Sequence, residues 1–194
     1  RQAGWRPAYS ARHVNSLYFD RLDRPRYLQN VEGLGWRNKV RIRWYGEFWG
    51  RVDAPVIEIK IKAGHAGRKR RAALPAFDLE PRTQRKSLGT LLTAADLAEG
   101  ELRPLEAVLA TRYRRRYYVT RDRRLRLTVD DQVRYLRPPG PRGFTSRWRR
   151  DPDGVIELKY EVGREADAQT LIQRLGLRLT RNSKFAKGLA STWY

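Results

Sequence analysis

Cysteine and methionine are both missing from the 194 residues, and only two histidines, His13 and His65, are present. No disulfide, thiolate nucleophile or cysteine metal site can therefore be built, and the redox compartment is left open. Histidine acid–base chemistry has little material to work with. No run of about 18 apolar residues occurs, so no segment reads as a membrane-spanning helix. Acidic residues are outnumbered two to one, with 21 Asp and Glu beside 42 Lys and Arg and a formal net charge of +21. That excess suits nucleic acid, polyphosphate, nucleotides or lipid head groups through long-range attraction and counterion release.

Lysine is also scarce, supplying only eight of the 42 basic residues. Arginine offers planar bidentate donors that match phosphate, although a GC-rich coding sequence produces the same bias. With Met absent and Arg at position 1, the expectation is a piece of a longer chain. At 40% hydrophobic, with six Trp and ten Tyr, it has enough apolar material for one globular domain spanning 1–194.

The informative stretch is RNKVRIRWYG, residues 37–46. On a strand, Arg37, Lys39, Arg41 and Arg43 share one face while Val40, Ile42 and Trp44 share the other. Four bases in register repel one another unless something negative lies against them. The pattern recurs. Residues 56–62 put Glu58, Lys60 and Lys62 opposite Ile57, Ile59 and Ile61; 112–120 put Arg112, Arg114, Arg116 and Tyr118 on one face. Residues 124–130 align Arg124, Arg126, Thr128 and Asp130, and 155–162 align Glu157, Lys159 and Glu161. The charged faces carry 12 bases against the four acids Glu58, Asp130, Glu157 and Glu161.

Elsewhere, HVNSLYFD (13–20) reads as a strand, residues 1–12 as a loop or short helix, and 21–36 as a connection with a helical turn near Tyr27. Residues 64–73 form a turn into a basic strand, 87–100 and 104–111 two short amphipathic helices, 137–154 a long loop and 166–175 a helix. Asp130-Asp131 reads as a strand end, and 180–194 as a tail holding Ser183-Lys184-Phe185. If the sheet closes with helices outside, the aliphatic faces pack beneath the helices and the cations line a tunnel, which must be wet or filled by an anion. A phosphate chain offers each ring of bases a negative group. Glu157 and Glu58 are candidates to hold a hard divalent cation beside it.

The segments HVNSLYFD, RNKVRIRWYG, EIKIKAG followed by RKRR, YRRRYYVT, RLTVDD, VIELKYE and SKF, taken in order, resemble the motif series of the VTC (vacuolar transporter chaperone) domain. That family is related to the CYTH proteins and the triphosphate tunnel metalloenzymes. The resemblance implies an α+β fold, an antiparallel β-barrel of about eight strands with a few helices packed outside. It also implies a polyphosphate polymerase that passes the γ-phosphate of ATP to a growing polyphosphate chain, with Mn²⁺ or Mg²⁺ as cofactor. Carried over by position, Arg41 and Arg43 match the paired arginines, Lys60 the lysine of Glu-x-Lys, and Lys69 the base after the following turn. Arg114 and Arg126 match the later phosphate-binding arginines, Glu157 the metal-coordinating glutamate, and Lys184 a base near the end. Arg41, Arg43, Lys60, Arg114 and Arg126 are thus the expected catalytic set. Lys39, Lys62, Lys69, Arg116, Lys159 and Lys184 are expected to bind phosphate, and Glu157 and Glu58 to bind metal.

Family members open with a strand of alternating Glu and basic residues before SLYFD, and residues 1–12 hold none, so the domain is expected to lack that wall. The expected partners are ATP and inorganic polyphosphate, with no specific nucleic acid, in the cytoplasm, any membrane attachment being made by regions outside this chain. Two other readings stand beside this one. One is a tri- or polyphosphatase of the CYTH type, using water as nucleophile; the other is a non-catalytic module that binds polyphosphate or another polyanion.

Overall fold

The computed structural model describes residues 4–64, 66–92, 105–138 and 147–193. In chain order the elements are β1 (Trp5–Asp20), α1 (Pro25–Val31), β2 (Trp36–Tyr45), β3 (Gly50–Val52), β4 (Val56–Ala63), β5 (Ala66–Ala73) and β6 (Phe77–Leu79). They continue with α2 (Arg85–Thr90), β7 (Glu106–Thr120), β8 (Leu125–Leu136), β9 (Arg149–Arg150), β10 (Val155–Tyr160), α3 (Glu165–Leu175) and α4 (Lys184–Trp193). One large antiparallel sheet runs β10-β8-β7-β1-β2-β4-β5, with β9 added to β8, and β3 pairs β6 in a separate ribbon. The α+β antiparallel architecture expected from the sequence is present. The closed barrel is not: among the described residues the end strands β10 and β5 are not hydrogen-bonded to each other. No helix among them is long and apolar enough to cross a membrane.

The alternation of β2 and β4 dictates which way this sheet faces. Val40 and Ile42 of β2, Ile57 and Ile59 of β4, and Leu17 and Phe19 of β1 are fully buried on one side, packed with Val52, Leu79 and Leu88 from β3, β6 and α2. The opposite side is the charged one, and it is not bare. Phe185 and Leu189 of α4 join Tyr18, Leu109, Tyr113 and Tyr135 in a second apolar cluster there, with the Tyr18 and Phe185 rings stacked at 5.2 Å. The helices are therefore not all outside, as expected, because α4 covers part of the charged face. The fit is close: a Cβ on Gly188 would lie 2.6 Å from Leu109 Cδ2 and 2.7 Å from Tyr135 Cδ1.

Local signals explain most boundaries. Asp20, at the end of β1, accepts hydrogen bonds from the backbone N–H groups of Tyr27 (2.9 Å) and Arg26 (3.3 Å), so a strand carboxylate satisfies free donors at the start of α1, where Pro25 suits the first turn. Ser183 Oγ accepts the Ala186 N–H at 3.2 Å and so caps α4. Three expectations are corrected. Residues 5–12 are the first half of β1, not a loop or short helix. Residues 106–111 are strand, since Ala107, Val108, Leu109 and Ala110 are all buried between the two apolar clusters, and a strand covered on both faces shows no alternation. The tail is the helix α4. The first expected helix survives as α2, while 93–104 and 139–146, part of the expected long loop, lie outside the described residues.

Candidate functional site

Paired residues on antiparallel strands point to the same side, so the register shows which charges meet. Across β1, β2, β4 and β5 one row reads Tyr18, Arg41, Glu58, Arg71, and the next reads Lys39, Lys60, Lys69. Arg37 pairs with Lys62, and Arg43 with Ser16. Glu58, 5% exposed, is the only acid in these rows. It receives Arg41 at 2.6 Å, Lys69 at 2.6 Å, Arg71 at 3.2 Å and Arg43 at 3.6 Å. Burial alone would raise its carboxyl, but Arg41 and Arg43, with hydrogen bonds from Lys69 and Arg41, hold it down to about 2. One carboxylate thus orients four cations and neutralises one of them.

Lys39 is a half-buried base with no carboxylate partner among the described residues. Its Nζ donates to Ser183 Oγ at 2.9 Å, a neutral partner on the α4 cap. Burial, with Lys60, Arg37 and Arg41 alongside, pushes it down to about 8 against the opposing influence of Tyr18.

The other half of the charged face has a second organising carboxylate. Asp130 accepts Arg115 Nε and Nη2 at 2.6 and 2.8 Å, and Lys184 Nζ at 2.6 Å. Burial would raise Asp130, but these partners hold it below the usual carboxylate range. Lys184 also sits 4.7 Å from the centre of the Tyr113 ring. Beside this cluster a cavity of about 720 Å³ is lined by Arg115, Tyr117, Arg126, Thr128, Glu157 and Lys159. Glu157, Thr128 and Tyr117 form one cross-strand row, and Lys159, Arg126 and Val119 the next.

The structure therefore brings Arg41, Arg43, Lys39, Lys60, Lys62, Lys69, Arg126, Lys159 and Lys184 onto one face. It does not bring Arg114 or Arg116 there. Both bond Asp131 on the opposite side, at 2.8 and 2.9 Å, and Arg112 bonds Glu47 there at 3.1 Å. The residue on the charged side is Arg115, paired with Asp130. The run RYRRR places arginine at both phases of the alternation, so spacing could not choose; the cue available in the sequence was the pair of tyrosines, Tyr113 and Tyr117, flanking Arg115 at two residues on either side. Asp130 is likewise not a strand end, since β8 continues to Leu136.

The two candidate metal ligands differ. Glu58 does not fit a cation: its oxygens already face four bases, so a divalent ion would meet strong repulsion. Glu157 does fit. Its side chain is 46% exposed, and its one ion pair among the described residues, with Lys159 at 3.4 Å, is of the weak surface kind. Among the described residues no three His, Asp or Glu side chains converge. A cation held by Glu157 would thus complete its shell with phosphate oxygens and water, the usual habit of Mg²⁺.

No curated protein sequence matches the chain. The family model described as the VTC domain, whose members are associated with polyphosphate synthesis, matches residues 4–193, nearly the whole length. A match over nearly the whole length shows the family, and the chain belongs to the VTC domain family.

Proposed function

We propose that the chain transfers the γ-phosphate of ATP onto the end of an inorganic polyphosphate lying along the charged face. The observation that carries this reading is the pair of buried carboxylates, Glu58 and Asp130, which fix six cations in place before any ligand arrives. Phosphoryl transfer asks mainly for such positioning and charge neutralisation. A terminal phosphate oxygen of the chain forms the new bond to the γ-phosphorus as the bond to the β–γ bridging oxygen breaks, and ADP leaves. That nucleophile is ionised near neutral pH, so no base is needed, in keeping with His13 sitting in contact with Arg112 on the opposite side of the sheet. Arg41, Arg43, Lys39, Lys60, Lys69, Arg115, Arg126 and Lys184 neutralise the phosphates and hold them in line. Glu157 would hold Mn²⁺ or Mg²⁺, which when bound supplies further neutralisation of the phosphoryl oxygens.

Labelled ATP and a divalent cation test the proposal. Long acid-insoluble chains are the expected product. Free orthophosphate instead would make the chain a hydrolase of the CYTH type, and neither product, with polyphosphate binding that survives EDTA, would make it a binding module. Glu157→Gln is expected to remove metal-dependent transfer while polyphosphate binding stays within about threefold. Equal loss of both would refute the metal role.

A further inference from the structure

The charged face is not chemically uniform along its length. Toward β4 and β5 its side chains are Lys60, Lys62, Lys69 and Arg71, with no aromatic residue among them. At the β1–β7 end the same face carries Tyr9, Tyr45 and Tyr117 gathered around Arg12. The Arg12 guanidinium lies 4.2 Å from the Tyr45 ring centre, 5.0 Å from Tyr117 and 5.6 Å from Tyr9, and its Nε donates to the Tyr117 hydroxyl at 3.3 Å.

An irregularity in the backbone builds this cluster. Tyr9 pairs with Tyr117 and Arg12 with Arg115, so β1 spends three residues where β7 spends two. Without the extra residue Tyr9 and Arg12 would point to opposite sides; the bulge brings them together, as bulges do where a side chain must be re-aimed. Strict alternation in the sequence therefore hides the cluster.

Its electrostatics also differ from the rest of the site. Arg41 and Arg115 lean on buried carboxylates, whereas Arg12 makes no ion pair among the described residues and is braced by the tyrosine rings and the neutral Tyr117 hydroxyl. Its charge is held still without being neutralised, which suits an anion arriving from outside. Tyr9 is 65% exposed and Tyr45 is 50% exposed. Open aromatic rings offer nothing to an inorganic phosphate chain, which has no apolar surface, but they stack a heterocyclic base. Tyr9 and Tyr117 line the same cavity as Arg126, Glu157 and Lys159, so a base stacked there has groups suited to its phosphates and a metal beside it.

We propose that Tyr9, Tyr45 and Tyr117 with Arg12 form the nucleoside end of the site. The base stacks on Tyr9 and Tyr45, and Arg12 meets the phosphate nearest the ribose. This rests on the proposed use of a nucleoside triphosphate, and it gives the face a direction: the polyphosphate product lies toward Lys39, Lys60 and Lys69, away from the tyrosines.

The test compares ATP with inorganic tripolyphosphate, both with Mg²⁺, by calorimetric titration of the wild-type chain, Tyr9→Leu, Tyr9→Phe and the Tyr9→Leu/Tyr45→Leu double variant. The expected result is about tenfold weaker ATP binding in the double variant, with tripolyphosphate changed less than twofold, and near wild-type ATP binding in Tyr9→Phe. Equal weakening of both ligands, or unchanged ATP binding in a folded double variant, overturns the assignment. Tyr9 is exposed, so the single Leu variant decides the matter if the double variant does not fold. A wild-type chain that binds tripolyphosphate with no preference for ATP sinks the nucleoside end alone, whereas one that binds neither sinks the proposed function with it.

Discussion

Replacing Glu58 by Gln removes the one negative charge that Arg41, Arg43, Lys69 and Arg71 share. Its carboxyl is held at about 2 against an ordinary value of 4.5. At about 1.4 kcal/mol per unit, that difference is worth on the order of 3 kcal/mol of folding stability at pH 7. The side chain is almost wholly buried, so solvent screening takes little from the figure. Because the folded value is depressed, the stabilisation is complete above about 4.5 and is lost as pH falls toward 2. At pH 3 linkage leaves a little under half of it. Urea unfolding of wild type and Glu58→Gln at pH 7 and pH 3, in low salt, reads both numbers. The variant is expected to be less stable by about 3 kcal/mol at pH 7 and by roughly half that at pH 3. Added tripolyphosphate should recover part of the loss, since it replaces the missing negative charge. A variant as stable as wild type at pH 7, or a deficit that does not shrink with acid, would refute the claim that this carboxylate organises the cations.

The remaining predictions concern register, pH and packing. Arg115→Ala should weaken tripolyphosphate binding by about tenfold or more, while Arg114→Ala, on the Asp131 side, should change it less than threefold; titration of the two variants side by side checks the assignment of faces. Lys39, pushed down to about 8, loses its proton on passing that pH, so tripolyphosphate affinity should fall above pH 8 in wild type. The fall should flatten in Lys39→Arg, whose guanidinium stays charged. Gly188→Ala should cost about 1–3 kcal/mol in urea unfolding, because the added methyl meets Leu109 and Tyr135 at under 3 Å with α4 pressed on the sheet.

What the sequence revealed and what it hid follow from burial. β2 and β4 were legible because one face of each lies in an apolar core and the other in charge, so Val40, Arg41, Ile42 and Arg43 alternate in the chain as they do in space. The start of β7 was misread as helix because α4 covers the second face. Ala107 and Ala110 turn to one cluster, Val108 and Leu109 to the other, and period two disappears. The helix α4 itself carries Phe185, Leu189 and Trp193 at four-residue spacing, a signal obscured by Gly188, which is there for close approach. Within the site, Arg41, Arg43, Lys60, Lys69, Arg126 and Lys184 follow from pattern and family resemblance, whereas Arg115 and Arg12 depend on strand phase and on a bulge that only coordinates disclose.

The strand β5 ends the described sheet with Arg68, Lys69, Arg70 and Arg71 in succession. An exposed strand edge ordinarily invites a second molecule to dock by backbone hydrogen bonds and seed fibres. Two copies meeting here would bring these four cations against their own kind. This basic run thus discourages self-association along this border, and substituting neutral residues there should make the protein more prone to assemble.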